Sequence, residues 1–270
     1  MNDLIKNPEY ENLISSIQKL EEELSELVHD RDKLKYHICP MLQAEYMLKI
    51  GKFEYAVFEY QCKILRIKRE IEIIQFFLNR EQSYNIIEIE EQLDNEYQEY
   101  TEKLLEKQKE IENARLISSN YGRSLTDEET AELKKLYTQI VKKLHPDINP
   151  DTTEEQHNSF IDAVNAYKKA DLSELKMIYL LLEKTSDSET ESSMEKLYKR
   201  KESLLYEKDY LLNEVNKIKE EFPYNIRDLL QSEIKLQQKI DEMSQLLSES
   251  QEQCIYMENC LEEILKKINE

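Results

Sequence analysis

A His145-Pro146-Asp147 tripeptide closes a run that carries four lysines, and this stretch is the part of the chain best equipped to do chemistry. It sets a titratable base and an anion on a stiff turn, because Pro146 fixes its own φ and keeps His145 out of the α region. Asn149 and a second proline, Pro150, extend the turn. Upstream, Lys134, Lys135, Lys142 and Lys143 lie between Leu133 and Pro146 with no acid among them. At about 100° per residue they fill the arc opposite Leu133, Leu136, Tyr137, Ile140, Val141 and Leu144. In a chain of net charge −20, an isolated basic face suits docking onto an acidic partner. His145, Pro146, Asp147 and Asn149 with the four lysines are therefore the candidate binding residues. On position alone, His145 reads equally well as a histidine at a helix C-terminus meeting the dipole and the last carbonyls.

Other chemistries fit less well. Asp147, Asn149, Asp151, Thr153 and Glu155 alternate as in an EF-hand loop, but Thr152 replaces the turn glycine and Asn158 the bidentate glutamate. His145 and His157 match no structural zinc spacing. The four cysteines, Cys39, Cys62, Cys254 and Cys260, form no C-x-x-C pair and read as reduced, mostly buried thiols. His29 and His37 read as exposed neighbours of a helical seam. No nucleophile-base pair can be argued from the order of residues, and with 2 glycines in 270 residues there is no Gly-rich phosphate loop. No catalytic residue, metal or cofactor is expected. The acidic field disfavours nucleic acid and anionic lipid. The start, MNDLIKNPEYE, lacks a secretory pattern, and no apolar run approaches the ~20 residues of a membrane span. A cytoplasmic protein is expected.

The elements that must position these residues are all helical. Apolar residues recur at steps of four and three from Leu13 through Ile17, Leu20, Leu24, Leu27, Leu34 and Ile38, with Arg31 interrupting. Pro40 is expected to end or kink this helix. Helical stretches follow over about 41–80 and 84–116, then a break at Ser118–Gly122. Thr126 with Glu129 forms a capping box for the lysine-bearing helix. A helix with Phe160, Ala163, Val164, Ala166 and Tyr167 on one side follows the turn, and a short one spans Leu172 to Glu183. A second seam runs through Leu197, Leu204, Leu211, Val215 and Ile218, with Lys201 and Lys208 at charged positions. After Pro223 a third continues through Leu229, Leu236, Ile240, Met243, Leu247, Cys254, Met257, Leu261 and Ile264. Two seams about a Pro-containing turn predict an antiparallel hairpin pairing Leu211 with Leu236 and Leu204 with Met243. The stripe beyond Ser250 is then left over; it is expected to pack on another part of the chain or to join a homodimer through the C-terminal helix. The sequence divides into a helical coiled-coil region (1–122), a compact module (123–184), a polar linker (185–193) and a coiled-coil hairpin (194–270).

The module resembles the J domain of DnaJ-type co-chaperones. His145-Pro146-Asp147 stands at the family's signature tripeptide, and Asn149 where the family often writes H-P-D-x-N. Leu133, Tyr137, Ile140, Val141 and Leu144 match the second helix of the family, and Phe160 with Ala166-Tyr167 its third. Lys134, Lys135 and Lys143 match basic positions of the docking face. The first helix, usually D-Y-Y-x-x-L, is absent before Leu125, and the preceding Ala114, Leu116 and Ile117 are expected to take its packing place. Thr138 and Gln139 occupy positions often basic in the family. The resemblance covers about 126–183, under a quarter of the chain. With the helical periodicity of its flanks, the chain is expected to have an all-α fold with extended coiled-coil arms and a small helical J-domain-like module in the middle. The resemblance implies a co-chaperone that stimulates a DnaK-type ATPase chaperone and serves some client protein. The alternative is a coiled-coil scaffold whose J-like module only packs or binds.

Overall fold

The structure, a computed structural model, describes residues 8–120, 125–183 and 193–269. Every regular element among them is helical, so the fold is all-α. The polar stretch 185–193 lies outside the described residues apart from Ser193; of the expected break at 118–122, residues 118–120 are helical and 121–122 lie outside the described residues. By packing, the chain forms two compact units, each drawn from separate segments: 1–40 with 123–225, and 41–122 with 226–270. This grouping cuts across the divisions that composition suggested.

The first unit contains α1 (Pro8–Lys33), α6 (Asp127–Leu144), α7 (Glu154–Lys168), α8 (Leu172–Glu183) and α9 (Met194–Glu220). Leu13, Ile17, Leu20, Leu24 and Val28 of α1 share one core with Leu197, Leu204 and Leu211 of α9. Polar contacts fix the register: Tyr198 donates to Glu9 (2.9 Å), Arg200 to Glu21 (2.6 Å) and Lys208 to Glu23 (2.7 Å), and Arg31 pairs with Glu214 at 3.5 Å. Residue numbers rise together on both helices, so α1 and α9 run parallel. The same core takes in Leu133, Tyr137, Ile140 and Leu144 of α6, Ala163, Ala166 and Tyr167 of α7, and Leu175 of α8. Phe160 and Val164 pack against it half-buried. Ala170 takes a left-handed φ of 54°, letting the Asp171 N–H reach the Ala166 carbonyl at 2.9 Å and close α7.

The second unit contains α3 (Lys52–Leu78), α4 (Ile86–Glu96), α5 (Gln98–Asn120), α10 (Arg227–Gln231), α11 (Glu233–Asn269) and most of α2 (Cys39–Tyr46). Here α3 and α11 are the main pair. Val57 and Ile50 meet Met243, Ile64 and Ile67 meet Cys254, and the cluster of Ile73 and Ile74 takes in Leu261, Ile264 and Leu265. Lys63 pairs with Glu258 at 2.6 Å. This order is again parallel. Arg66 bonds Glu90 and Asp94, and Arg69 bonds Glu96 at 2.9 Å, which ties α4 to α3.

Three expectations are corrected. The antiparallel hairpin does not form: the α9 seam packs on α1 and the α11 seam on α3, in different units. A heptad seam states that a helix has a partner, not which one. Of the two outcomes expected at Pro40, an end or a kink, the end does not occur: a π-helical turn at Leu34–Ile38 carries the ladder up to it, with the Cys39 N–H bonded to the Leu34 carbonyl. Ala114, expected to pack on the lysine-bearing helix, is buried in the second unit, and within the first unit α1 lies against α6.

The stripe beyond Ser250 finds its cover on α3 and α4, with Cys254 at 1 % exposure. Deleting the residues after Gln251 strips this cover from Ile64, Ile67, Ile73 and Ile74. Each aliphatic side chain returned to water costs about 1.5–3 kcal/mol. The truncated chain is expected to melt well below the full one by circular dichroism; equal melting temperatures would show that the stripe contributes nothing.

Candidate partner-docking site

The lysine-bearing helix begins at a complete capping box. The Thr126 hydroxyl accepts from the Glu129 N–H (3.1 Å), and the Glu129 carboxylate accepts from the Thr126 N–H (2.9 Å). An equivalent box of Thr153 and Gln156 opens α7. These caps set where each helix starts and so fix the length of the turn between them. Tyr137 stacks on Tyr167 with ring centroids 4.0 Å apart, and His145 meets Phe160 edge-on at 5.1 Å. The pairing runs antiparallel, and 145–153 forms its tip.

Within the tip, the His145 N–H continues the helical ladder to the Val141 carbonyl, and its own carbonyl accepts from Ile148 and Asn149. The Asp147 N–H donates to His145 Nδ1 at 3.2 Å, and the Asn149 side chain donates to the Lys142 carbonyl at 2.7 Å. The candidate residues His145, Asp147 and Asn149 are thus one hydrogen-bonded turn. His145 is 6 % exposed and Ile148 1 %, so the start of the turn packs into the core. Asp147 remains exposed.

Neighbouring helices cover much of this surface. From α9, Arg200 donates to Glu21 and to the Ile148 carbonyl (3.5 Å). Burial, then the charge of nearby Asp147, raise the Glu207 carboxyl of α9 above its ordinary range. From α1, Glu26 pairs with Lys134 at 2.7 Å and Glu22 with Lys142 at 3.1 Å. Lys143 instead lies over the Tyr179 ring of α8 at 5.4 Å, and Lys135 is exposed. The four lysines therefore do not act as one free face. Thr138 and Gln139 line a groove with Glu22, Glu23, Glu26 and Asp30.

A buried polar node joins α1 to α6, and sequence reasoning missed it. The Tyr137 hydroxyl donates to Asp32 at 2.5 Å, and Arg31 Nε donates to the same carboxylate at 2.9 Å, with Asp32 1 % exposed. Burial and the Asp32 charge hold the Tyr137 phenol well above its ordinary range, so it stays a donor. His29, expected to be exposed, is 3 % exposed, and both it and His37 meet the Tyr167 ring edge-on. The available signal was the charged run His29-Asp30-Arg31-Asp32 in the middle of an apolar seam.

Burial holds the His29, His37 and His145 imidazoles below the ordinary histidine value of 6.5, partly offset at His29 by Asp30 and at His145 by Asp147. The unfolded chain therefore takes up protons at higher pH than the folded one. The stability these groups contribute is complete above about pH 6.5 and falls as pH drops below it. Melting at pH 5 is expected below melting at pH 7.5, and His29→Gln should flatten that dependence. An unchanged pH dependence in that variant would remove His29 from the explanation.

Among the described residues no group of three or more His, Cys, Asp or Glu is placed to hold a metal ion, and no helix is long and apolar enough to cross a membrane. Comparison with protein-family models, curated proteins and solved structures finds no match.

Proposed function

We propose that the chain is a cytoplasmic J-domain-type co-chaperone. In this reading α6–α8 are the J-domain-like module and the other helices are its coiled-coil arms. The basic helix and the His145-Pro146-Asp147 turn dock on an ATP-bound DnaK-type chaperone and stimulate its ATP hydrolysis. The arms hold a client protein or fix where the chaperone acts. The chain supplies no catalytic group; docking energy shifts the partner toward its hydrolysing conformation. The observation that carries the reading is the antiparallel α6–α7 pair, with Tyr137 stacked on Tyr167 and the tripeptide at its tip. A single-turnover ATPase assay with a DnaK-type chaperone tests it: acceleration by the chain that Asp147→Asn abolishes supports the proposal, and no acceleration at saturating chain refutes it.

A second reading, a scaffold whose J-like module only packs, is favoured by one finding. Two of the four lysines are paired to α1, and His145 is turned inward.

A further inference from the structure

We infer that α1 and α9 together form an intramolecular cover over the docking surface of the α6–α7 pair, and that the chain engages its chaperone only when this cover lifts. The inference rests on the co-chaperone reading for the identity of the covered surface. The cover itself rests on four contacts within one unit. Glu26 and Glu22 sit one helical turn apart on α1 and meet Lys134 and Lys142, two turns apart on α6. Arg200 holds the Ile148 carbonyl while anchored by Glu21. An outside partner that pairs with Lys134 and Lys142 must displace the Glu26 and Glu22 carboxylates, so the two are mutually exclusive.

The contacts suit a cover that can lift. Glu22 and Glu26 are exposed, and exposed ion pairs are weak and screened by salt. The α6–α8 helices also share apolar contacts with one another, through Leu133, Ile140, Leu144, Ala163, Ala166 and Leu175. Apparent affinity for a partner falls in proportion to the fraction of chains that are open, so shifting that fraction shifts affinity without touching the docking residues.

The test uses the full chain and two variants that leave Lys134, Lys142 and Asp147 in place. Glu22→Lys with Glu26→Lys turns two attractions into repulsions on the α6 side. Arg200→Glu releases the turn from the α9 side. Circular dichroism checks that each is folded, hydrogen exchange over 145–149 reads the cover, and single-turnover hydrolysis by a DnaK-type chaperone reads docking. Both variants are expected to exchange faster and to reach half-maximal stimulation at roughly tenfold lower concentration than the unaltered chain. If the unaltered chain already stimulates as well as the variants, the cover is overturned and the co-chaperone reading stands. If exchange rises but neither variant stimulates at any concentration, the co-chaperone reading falls although the cover is real. If folded variants leave exchange unchanged, these contacts do not hold the cover and the inference is wrong.

Discussion

Tyr137→Ala is expected to cost about 3–5 kcal/mol of stability, among the largest effects of any single substitution in the chain. The ring is wholly buried and stacked on Tyr167 at 4.0 Å, so its loss opens a cavity in the core shared by α1, α6, α7 and α9. The hydroxyl adds a second penalty. It donates to Asp32, a carboxylate at 1 % exposure that would keep only Arg31 as a bonded partner. A buried acceptor that loses a donor costs roughly 1–3 kcal/mol, so Tyr137→Phe should fall between the alanine variant and the unaltered chain. Urea unfolding followed by circular dichroism measures both. An alanine variant within about 1 kcal/mol of the unaltered chain would show that Tyr137 is not a core residue.

The second large effect is on activity. Asp147→Asn is expected to remove stimulation of the chaperone ATPase while leaving the melting temperature nearly unchanged. The side chain is exposed, the amide keeps its shape, and what is lost is the charge available to an outside donor. His145→Gln is expected to remove stimulation and also to lower stability, because His145 is 6 % exposed and packs edge-on against Phe160. That difference separates a docking role from a packing role. Loss of stimulation in both variants, with loss of stability in only one, cannot come from unfolding. Equal stimulation by both variants and the unaltered chain would rule out the tripeptide as the docking element.

What could be read in the sequence was local. The Thr126-Glu129 capping box, the end of α6 at His145, and the core positions Leu133, Tyr137, Ile140 and Leu144 all follow from spacing within one helix, and all stand in the structure. The seams of α1, α9 and α11 were equally legible as seams. Their partners were not, because an apolar stripe is satisfied by any other apolar stripe. The choice lies in the charges beside the seam: the Glu21-Glu22-Glu23 run of α1 meets Arg200, Lys208 and Lys142. Lys208, a charged position within its seam, is one of the residues that selects its partner. The same long-range pairing buries His145 and ties Lys134 and Lys142 to α1. Lys134, Lys135 and Lys143 are exposed and Lys142 is half-buried.

The most direct measurement compares single-turnover ATP hydrolysis by a DnaK-type chaperone in the presence of two chains. Both carry Glu22→Lys and Glu26→Lys, and one also carries Asp147→Asn. The first is expected to accelerate hydrolysis in a concentration-dependent and salt-sensitive way, and the second to leave the chaperone at its own rate. Identical rates with the two chains, whether both accelerate or neither does, would contradict docking through the His145-Pro146-Asp147 turn.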